Sequence, residues 1–250
     1  MEENSSRSRS AGVASVAEAD ITMAPSLERL GGADNYTEWI FSHIEPHLGP
    51  EVLEVGAGHG TFTELFSARA ARVVAADVSD RCAELLRARF AGNERVIVRD
   101  GGTEIAAGMP PFDSAVLVNV LEHIKDDDGA LLDLAAALKP GGRLILWVPA
   151  FQFLYSDWDR QVGHYRRYRK GELGVKLAKA GLDLTEIRYV NSVGALGWLV
   201  LARMMRGNPT HKGEVKFFDS CFVPVLRRLE SRWGAPFGQS VFAVATRPGR

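Results

Sequence analysis

The feature that most constrains this chain is a strand-forming apolar run that breaks into glycines and resumes as a helix. The run is VLEVGAGHGT, residues 52–61, and the helical pattern FTELFSARA follows at once. The same change of period recurs along the chain. EVLEVG reads as a strand and TFTELFSARA as a helix. RVVAADVS reads as a strand, and DRCAELLRARFAG as a helix closed by Gly92. RVIVRDG is a short strand, and FDSAVLVNVLEHI is a strand that turns into a loop and helix. ALLDLAAALKPGG is a helix with a Pro-Gly-Gly stop, and RLILWVPA is another strand. Continuous apolar strands alternating with helices predict a parallel sheet covered on both faces. Right-handed crossovers then gather the carboxyl ends of the strands on one edge. Ligands bind on that edge, near the point where the strand order reverses.

The flanks behave differently. Residues 1–22 are rich in Ser, Ala and charge and carry no apolar core of a signal peptide, so they read as a flexible tail. DNYTEWIFSHIEPHLG reads as an amphipathic helix ending at Gly49-Pro50. Beyond RLILWVPA, the segment FQFLYSDWDRQVGHYRRYRKGEL is aromatic and charged with no clear period. KGELGVKLAKAGL is a helix, DLTEIRYVNSV a strand, GALGWLVLARMMR and KFFDSCFVPVLRRLESRW helices, and QSVFAVATR a final strand. No internal repeat or dividing linker is visible, so residues 23–250 read as one domain. At 250 residues and 46% hydrophobic, the chain can build one sizeable core. A net charge of −1 argues against a nucleic-acid partner. Cys82 and Cys221 lie far apart without metal-site spacing and fit small buried residues in a reducing, cytoplasmic setting; no metal is expected. The longest uncharged run, Tyr189–Ala202, has 14 residues. A membrane span needs about 20, which leaves a buried helix, a lid, or a helix resting weakly on a membrane surface.

Gly56, Gly58 and Gly60 allow a backbone to press against a ligand. Their spacing is G-x-G-x-G, whereas the dinucleotide fingerprint is G-x-G-x-x-G. Glu54, two residues ahead, would repel a pyrophosphate but suits a cationic or hydroxyl-bearing ligand. Asp77 closes the second strand, where a carboxylate can accept both hydroxyls of a ribose. Asp100, before Gly101, closes the third and can meet an adenine amino group. Either Asp alone could merely cap a helix; four such features on one sheet edge point to a ligand.

VLEVGAGHGTF, AADVS, Asp100-Gly101, FDSAVLVNVLEHI and LKPGGRLILWVPA together resemble the successive motifs of the class I S-adenosylmethionine (SAM)-dependent methyltransferases, in order, over residues 34–150. The resemblance implies an α/β, Rossmann-like, doubly wound fold. It has a seven-stranded, mostly parallel sheet with an antiparallel last strand, an N-terminal helix and lid insertions. It implies SAM as cofactor and S-adenosylhomocysteine as product. The cofactor would lie against Gly56, Ala57, Gly58 and Gly60, with Glu54 on its ammonium group. Asp77 and Val78 would face the ribose, and Asp100 and Gly101 the adenine. Asn119, Val120 and Glu122 would lie beside the methionine part, and Tyr36 would cover the cofactor. Residues 34–150 are then the cofactor half and 151–235 the substrate and lid half.

Methyl transfer requires the acceptor, methyl and sulfur to be aligned in a dry pocket, and a base helps when the acceptor carries a proton. His123 and His164 are the candidate bases, with Tyr165 beside them. Trp158, Arg166 and Tyr168 are candidate substrate contacts. YRRYRK suits a phosphate-bearing or otherwise anionic small molecule better than nucleic acid, and it lacks the Tyr-x-x-x-Lys of short-chain dehydrogenases. WDRQVGHYRRYRKGEL, RYVNSVGALGW and FFDSCFVPVLRRLE more loosely resemble small-molecule methyltransferases found alongside natural-product enzymes and glycosyltransferases. The apolar GALGWLVLARMM, the aromatic KFFDSCF and the arginines at 203, 206, 227 and 228 add a hydrophobic, sugar- or lipid-linked substrate to that expectation. The expected activity is methylation of O or N. The alternatives are a different reaction on the same cofactor fold, or a SAM-binding protein without catalysis.

Overall fold

A computed structural model of the chain describes residues 34–192, 194–195, 219–220, 223–224, 230 and 236–249. The tail 1–22, the apolar run from 196 to 205, the segment 216–218, Cys221 and the arginines at 203, 206, 227 and 228 lie outside the described residues. Seven strands form one sheet: β1 Glu51–Val55, β2 Arg72–Asp77, β3 Val96–Asp100, β4 Phe112–Val118, β5 Leu138–Pro149, β6 Asp183–Val190 and β7 Ser240–Thr246. Their order is β3-β2-β1-β4-β5-β7-β6. β1 pairs in parallel with both β2 and β4, and β7 runs antiparallel to both β5 and β6. The helices are α1 Asp34–Ile44, α2 Thr61–Ser67, α3 Asp80–Arg89, α4 Asp127–Ala137, α5 Asp157–Gln161 and α6 Lys170–Lys179. The strand and helix segments foreseen between residues 34 and 190 all appear. The one extended change is at β5, which begins at Leu138, so the Lys-Pro-Gly-Gly stop belongs to the strand.

Alternation along the strands sorts the core into two layers, because successive side chains point to opposite faces. Leu53, Val55, Leu117, Leu144 and Leu146 face one way, against Leu131, Leu134, Leu173 and Leu177 of α4 and α6. Val52, Val116, Ile145, Trp147 and Phe242 face the other way, against Trp39, Ile40 and Ile44 of α1 and Phe66 of α2. Within the second layer, Trp147 and Phe242 sit 6.1 Å apart, and Tyr36 meets Trp147 edge-on. Two of the helices are capped locally at their starts. Ser79 accepts from the backbone N–H of Cys82 at the start of α3, and Asp126 accepts from that of Gly129 at the start of α4. Among the described residues, no helix is long and apolar enough to cross a membrane.

The strand order turns back between β1 and β4. Chain progression runs outward to β3 on one side and to β6 on the other, so the loops leaving β1 and β4 diverge from a shared cleft.

Candidate active site

The loop after β1 carries three positive φ values, at Gly56 (74°), Gly58 (55°) and Gly60 (80°). At Gly56 close approach also demands glycine: an added Cβ would stand 2.3 Å from Val120 Cγ2 of the β4 loop. The two loops that bound the cleft therefore touch at this point. The turn is held in place by Ala76, whose carbonyl accepts from Gly56 and Ala57 at 2.8 and 3.0 Å. Asp77, at the end of β2, accepts from Gly58 N–H at 2.7 Å and from Ser79 N–H at 3.0 Å. Its carboxylate thus fixes the glycine turn from the side.

Glu54 shares the face of β1 used by Val52 and points toward α2. It is buried and accepts from the Thr63 hydroxyl at 2.5 Å. Burial pushes its pKa up to about 8, eased by the Thr63 hydrogen bond and raised further by Asp77. A carboxyl group kept out of water, with no cation beside it among the described residues, is suited to receive one. Val78, after β2, is exposed. Asp100 is half-exposed and ion-paired with Arg87 of α3, so its carboxylate reaches outward at the β3 end of the cleft. Gly101 (φ 133°) donates to the Asp77 carbonyl at 2.9 Å, which ties the β3 loop to the β2 end.

Across the cleft, Asn119 takes the left-handed φ of 53° and donates to the Trp147 carbonyl at 2.7 Å. This kink sends the chain into a 3-10 turn over Leu121–His123. Glu122 is fully buried, and neither carboxylate oxygen accepts a well-formed hydrogen bond among the described residues. Burial pushes its pKa up to about 8 against the pull of its own backbone N–H and of Arg167. His123 is driven down to about 3, first by burial and then by neighbouring His164, so its imidazole is neutral.

His164 reaches this turn from 41 residues beyond His123. Its Nδ1 lies 2.7 Å from Asp159 Oδ1, its Nε2 lies 3.9 Å from Glu122 Oε1, and its ring meets that of His123 edge-on at 4.6 Å. Asp159 is itself fully buried; burial raises its pKa, but bonds from His164 and Arg167 outweigh this and hold it at about 2. Arg167 donates to both its oxygens, at 2.8 and 3.0 Å, and Ser156 N–H adds a third donor at 2.8 Å. Asp159 and Arg167 were not foreseen as site residues. The available signal was Ser156-x-x-Asp159, a capping box at the start of α5, which marks Asp159 as held by backbone.

Two of the candidate substrate contacts are engaged within the chain. Tyr168 is fully buried, not on a substrate surface: its hydroxyl donates to Asp127 Oδ2 at 2.9 Å and Leu121 O at 3.2 Å. Burial and the neighbouring Asp127 charge raise its pKa. Arg166 pairs with Asp127 and donates to Lys125 O at 2.7 Å, so the chain itself supplies a counter-charge to it. Tyr165 is 54% exposed, with Arg166 over its ring. Trp158 packs edge-on to His164 at 5.6 Å. Tyr36 is placed at the ends of β5, β6 and β7, within reach of Trp147, Asn191 and Ser240, and burial raises its pKa. Its backbone N–H donates to Asp219 at 2.8 Å.

Comparison with known proteins follows this geometry. The profile of a methyltransferase-domain family matches residues 21–187. The chain belongs to this family. Its cofactor is S-adenosylmethionine. The residues fit that molecule: a desolvated Glu54 awaits a cation, and the glycine turn presents bare backbone where a Cβ would collide. The chain is 34% identical over 104 residues to a demethylmenaquinone methyltransferase of Clavibacter sepedonicus, covering 41% of this chain and 42% of that protein. It thus spans less than half the length of that relative. It is 27% identical over 166 residues to a ubiquinone biosynthesis O-methyltransferase of Xanthomonas axonopodis pv. citri, covering 60% and 69%. The fold matches that of the N-methyltransferase NodS of Bradyrhizobium japonicum, solved with S-adenosylhomocysteine, at a TM-score of 0.56 and 16% identity, with 86% of each chain covered.

Proposed function

We propose that the chain transfers a methyl group from SAM to an oxygen of a hydrophobic small molecule. The observation that carries the reading is Glu54, a buried carboxyl beside a glycine turn whose middle N–H is tied to Asp77. Glu54 would hold the cofactor's ammonium group, the Gly56–Gly60 backbone would pass beneath it, and Asp77 and Asp100 would take its ribose and adenine. When bound, the cofactor supplies an electrophilic methyl group.

The protein's own part is to place the acceptor and manage its proton. Val120 packs onto Gly56 and fixes the floor between the two loops. Glu122, His123 and His164 gather polar groups at the end of β4, where an acceptor hydroxyl can be oriented and deprotonated. Asp159 and Arg167 hold the His164 ring. An apolar acceptor is supported by the aromatic surface beyond β5 and β6. There Phe151 stacks on Tyr189 at 4.5 Å, and Phe153 and Phe237 are exposed. Oxygen rather than nitrogen is favoured by the relative named as an O-methyltransferase, which aligns over the longer stretch.

The test begins with the cofactor. SAM and S-adenosylhomocysteine at about 100 times their dissociation constants should each raise the melting temperature by about 5–10 °C, and NAD should not. Asp77→Ala should abolish this shift, whereas His164→Ala should keep it and lower turnover with hydroxylated hydrophobic acceptors. No shift with either SAM-type ligand would overturn the cofactor reading. Equal loss of SAM affinity in both variants would show that His164 belongs to the cofactor side.

A further inference from the structure

At the carboxyl end of β4, a histidine ring nitrogen and a buried carboxyl group face each other across a gap. Asp159, a buried carboxylate, accepts at His164 Nδ1, so the ring proton sits on Nδ1 and Nε2 offers a lone pair. That nitrogen stands 3.9 Å from Glu122 Oε1, too far for a direct hydrogen bond. Both Glu122 oxygens are buried and without a well-formed partner among the described residues. Leaving such a group empty is costly in a dry interior. His123 completes the group: its ring is next to that of His164, and ligand atoms of all three residues lie within 4.8 Å of one another.

We propose that Glu122, His123 and His164 bind a divalent transition-metal ion of the zinc class. Two imidazoles and one carboxylate are a borderline donor set, suited to zinc and its first-row neighbours rather than to magnesium or calcium. Tetrahedral ligands at about 2.1 Å from zinc stand about 3.4 Å apart, so the three atoms need to draw in by an ångström or so. The supporting shell is already built. A metal-bound histidine characteristically donates its other N–H to a carboxylate, and Asp159 takes that place, itself fixed by Arg167 and Ser156. Three protein ligands leave one position open. That position would receive the acceptor hydroxyl, which when bound to the metal gives up its proton to water more readily. This role rests on the methyl-transfer reading; the binding of the metal does not.

The experiment uses the full chain and needs no substrate. Chelator-stripped protein is incubated with equimolar zinc, desalted and analysed for metal, and a cobalt-loaded sample is scanned for visible d–d absorption. Wild type should retain one zinc per chain and show the cobalt bands. His164→Ala and Glu122→Gln should lose both, and Asp159→Asn should weaken zinc binding about 10–100-fold. Melting curves of each variant show whether it is folded. No retained zinc in the folded wild type would overturn the proposal, and so would equal retention by folded Glu122→Gln and His164→Ala. If zinc fails while SAM still raises the melting temperature, the metal site alone falls; the reverse outcome removes the cofactor reading alone.

Discussion

Gly56→Ala separates two demands that one residue meets. Its φ of 74° lies in the left-handed region, where an L-residue costs about 1–2 kcal/mol. Its added Cβ would also stand 2.3 Å from Val120 Cγ2 and 3.0 Å from Val120 Cγ1, an overlap that must push the β4 loop away. Overpacking of that kind costs about 1–3 kcal/mol. The sum, about 2–5 kcal/mol, should lower the melting temperature by about 5–15 °C for a domain of this size. Gly108→Ala is the internal control, because Gly108 has φ 87° and nothing within 4 Å of an added Cβ. It should show the conformational cost alone. Adding Val120→Ala to Gly56→Ala removes both clashing methyls and should recover the packing share only. Urea unfolding of the four proteins gives the free energies, and calorimetry gives SAM affinity, which Gly56→Ala should weaken because the displaced loop borders the cleft. If Gly56→Ala costs no more than Gly108→Ala, and Val120→Ala restores nothing, the two loops do not touch as described.

Three further outcomes are expected. Tyr168→Phe deletes a buried donor to the charged Asp127 and should lower unfolding free energy by about 1.5–3 kcal/mol in urea; a change within error would mean Asp127 finds enough support from Lys176 and Arg166. Glu54 titrates near 8 folded against about 4.3 unfolded, so the folded state binds more protons between these values. Stability of the cofactor-free protein should therefore fall as pH rises from 5 to 8, by up to about 1.4 kcal/mol per unit from this group. Glu54→Gln should flatten that slope, and identical pH profiles for the two proteins would contradict the desolvated carboxyl. Lys176→Met removes a cation 3.0 Å from both Asp127 and Asp128; the half-exposed pair with Asp128 should contribute little, so a loss above about 2 kcal/mol would place the Asp127 contact among the stronger buried pairs.

The cofactor cleft was legible because its chemistry is local. Glu54, the three glycines and Asp77 lie within one strand–turn–helix–strand unit, and a switch from period two to a helical period locates each of them. The 3-10 turn with Glu122 and His123 was legible as the end of an apolar strand. The second half was not, for a definite reason. YRRYRK reads as a surface for an anionic small molecule when its counter-charges are not considered. The structure supplies Asp159 to Arg167 and Asp127 to Arg166 and Tyr168, and the Asp127 partners come from 39 and 41 residues away. Pairing across that distance leaves no local pattern, so two residues expected to meet a substrate turned out to bind the segment to the fold.

The insertion of β7 between β5 and β6 sets an order on synthesis. β6 spans Asp183–Val190 but reaches the sheet only through β7, Ser240–Thr246, which follows it in the chain. While the chain is still on the ribosome, β3, β2, β1, β4 and β5 can pair, but β6 has no edge to join until the final strand leaves the exit tunnel. The cleft half can thus form before β7 is made, and the β6 side of the sheet closes only once β7 is in place. A truncation ahead of Ser240 would accordingly strand β6 as well as remove β7, leaving β5 as an exposed edge open to intermolecular pairing.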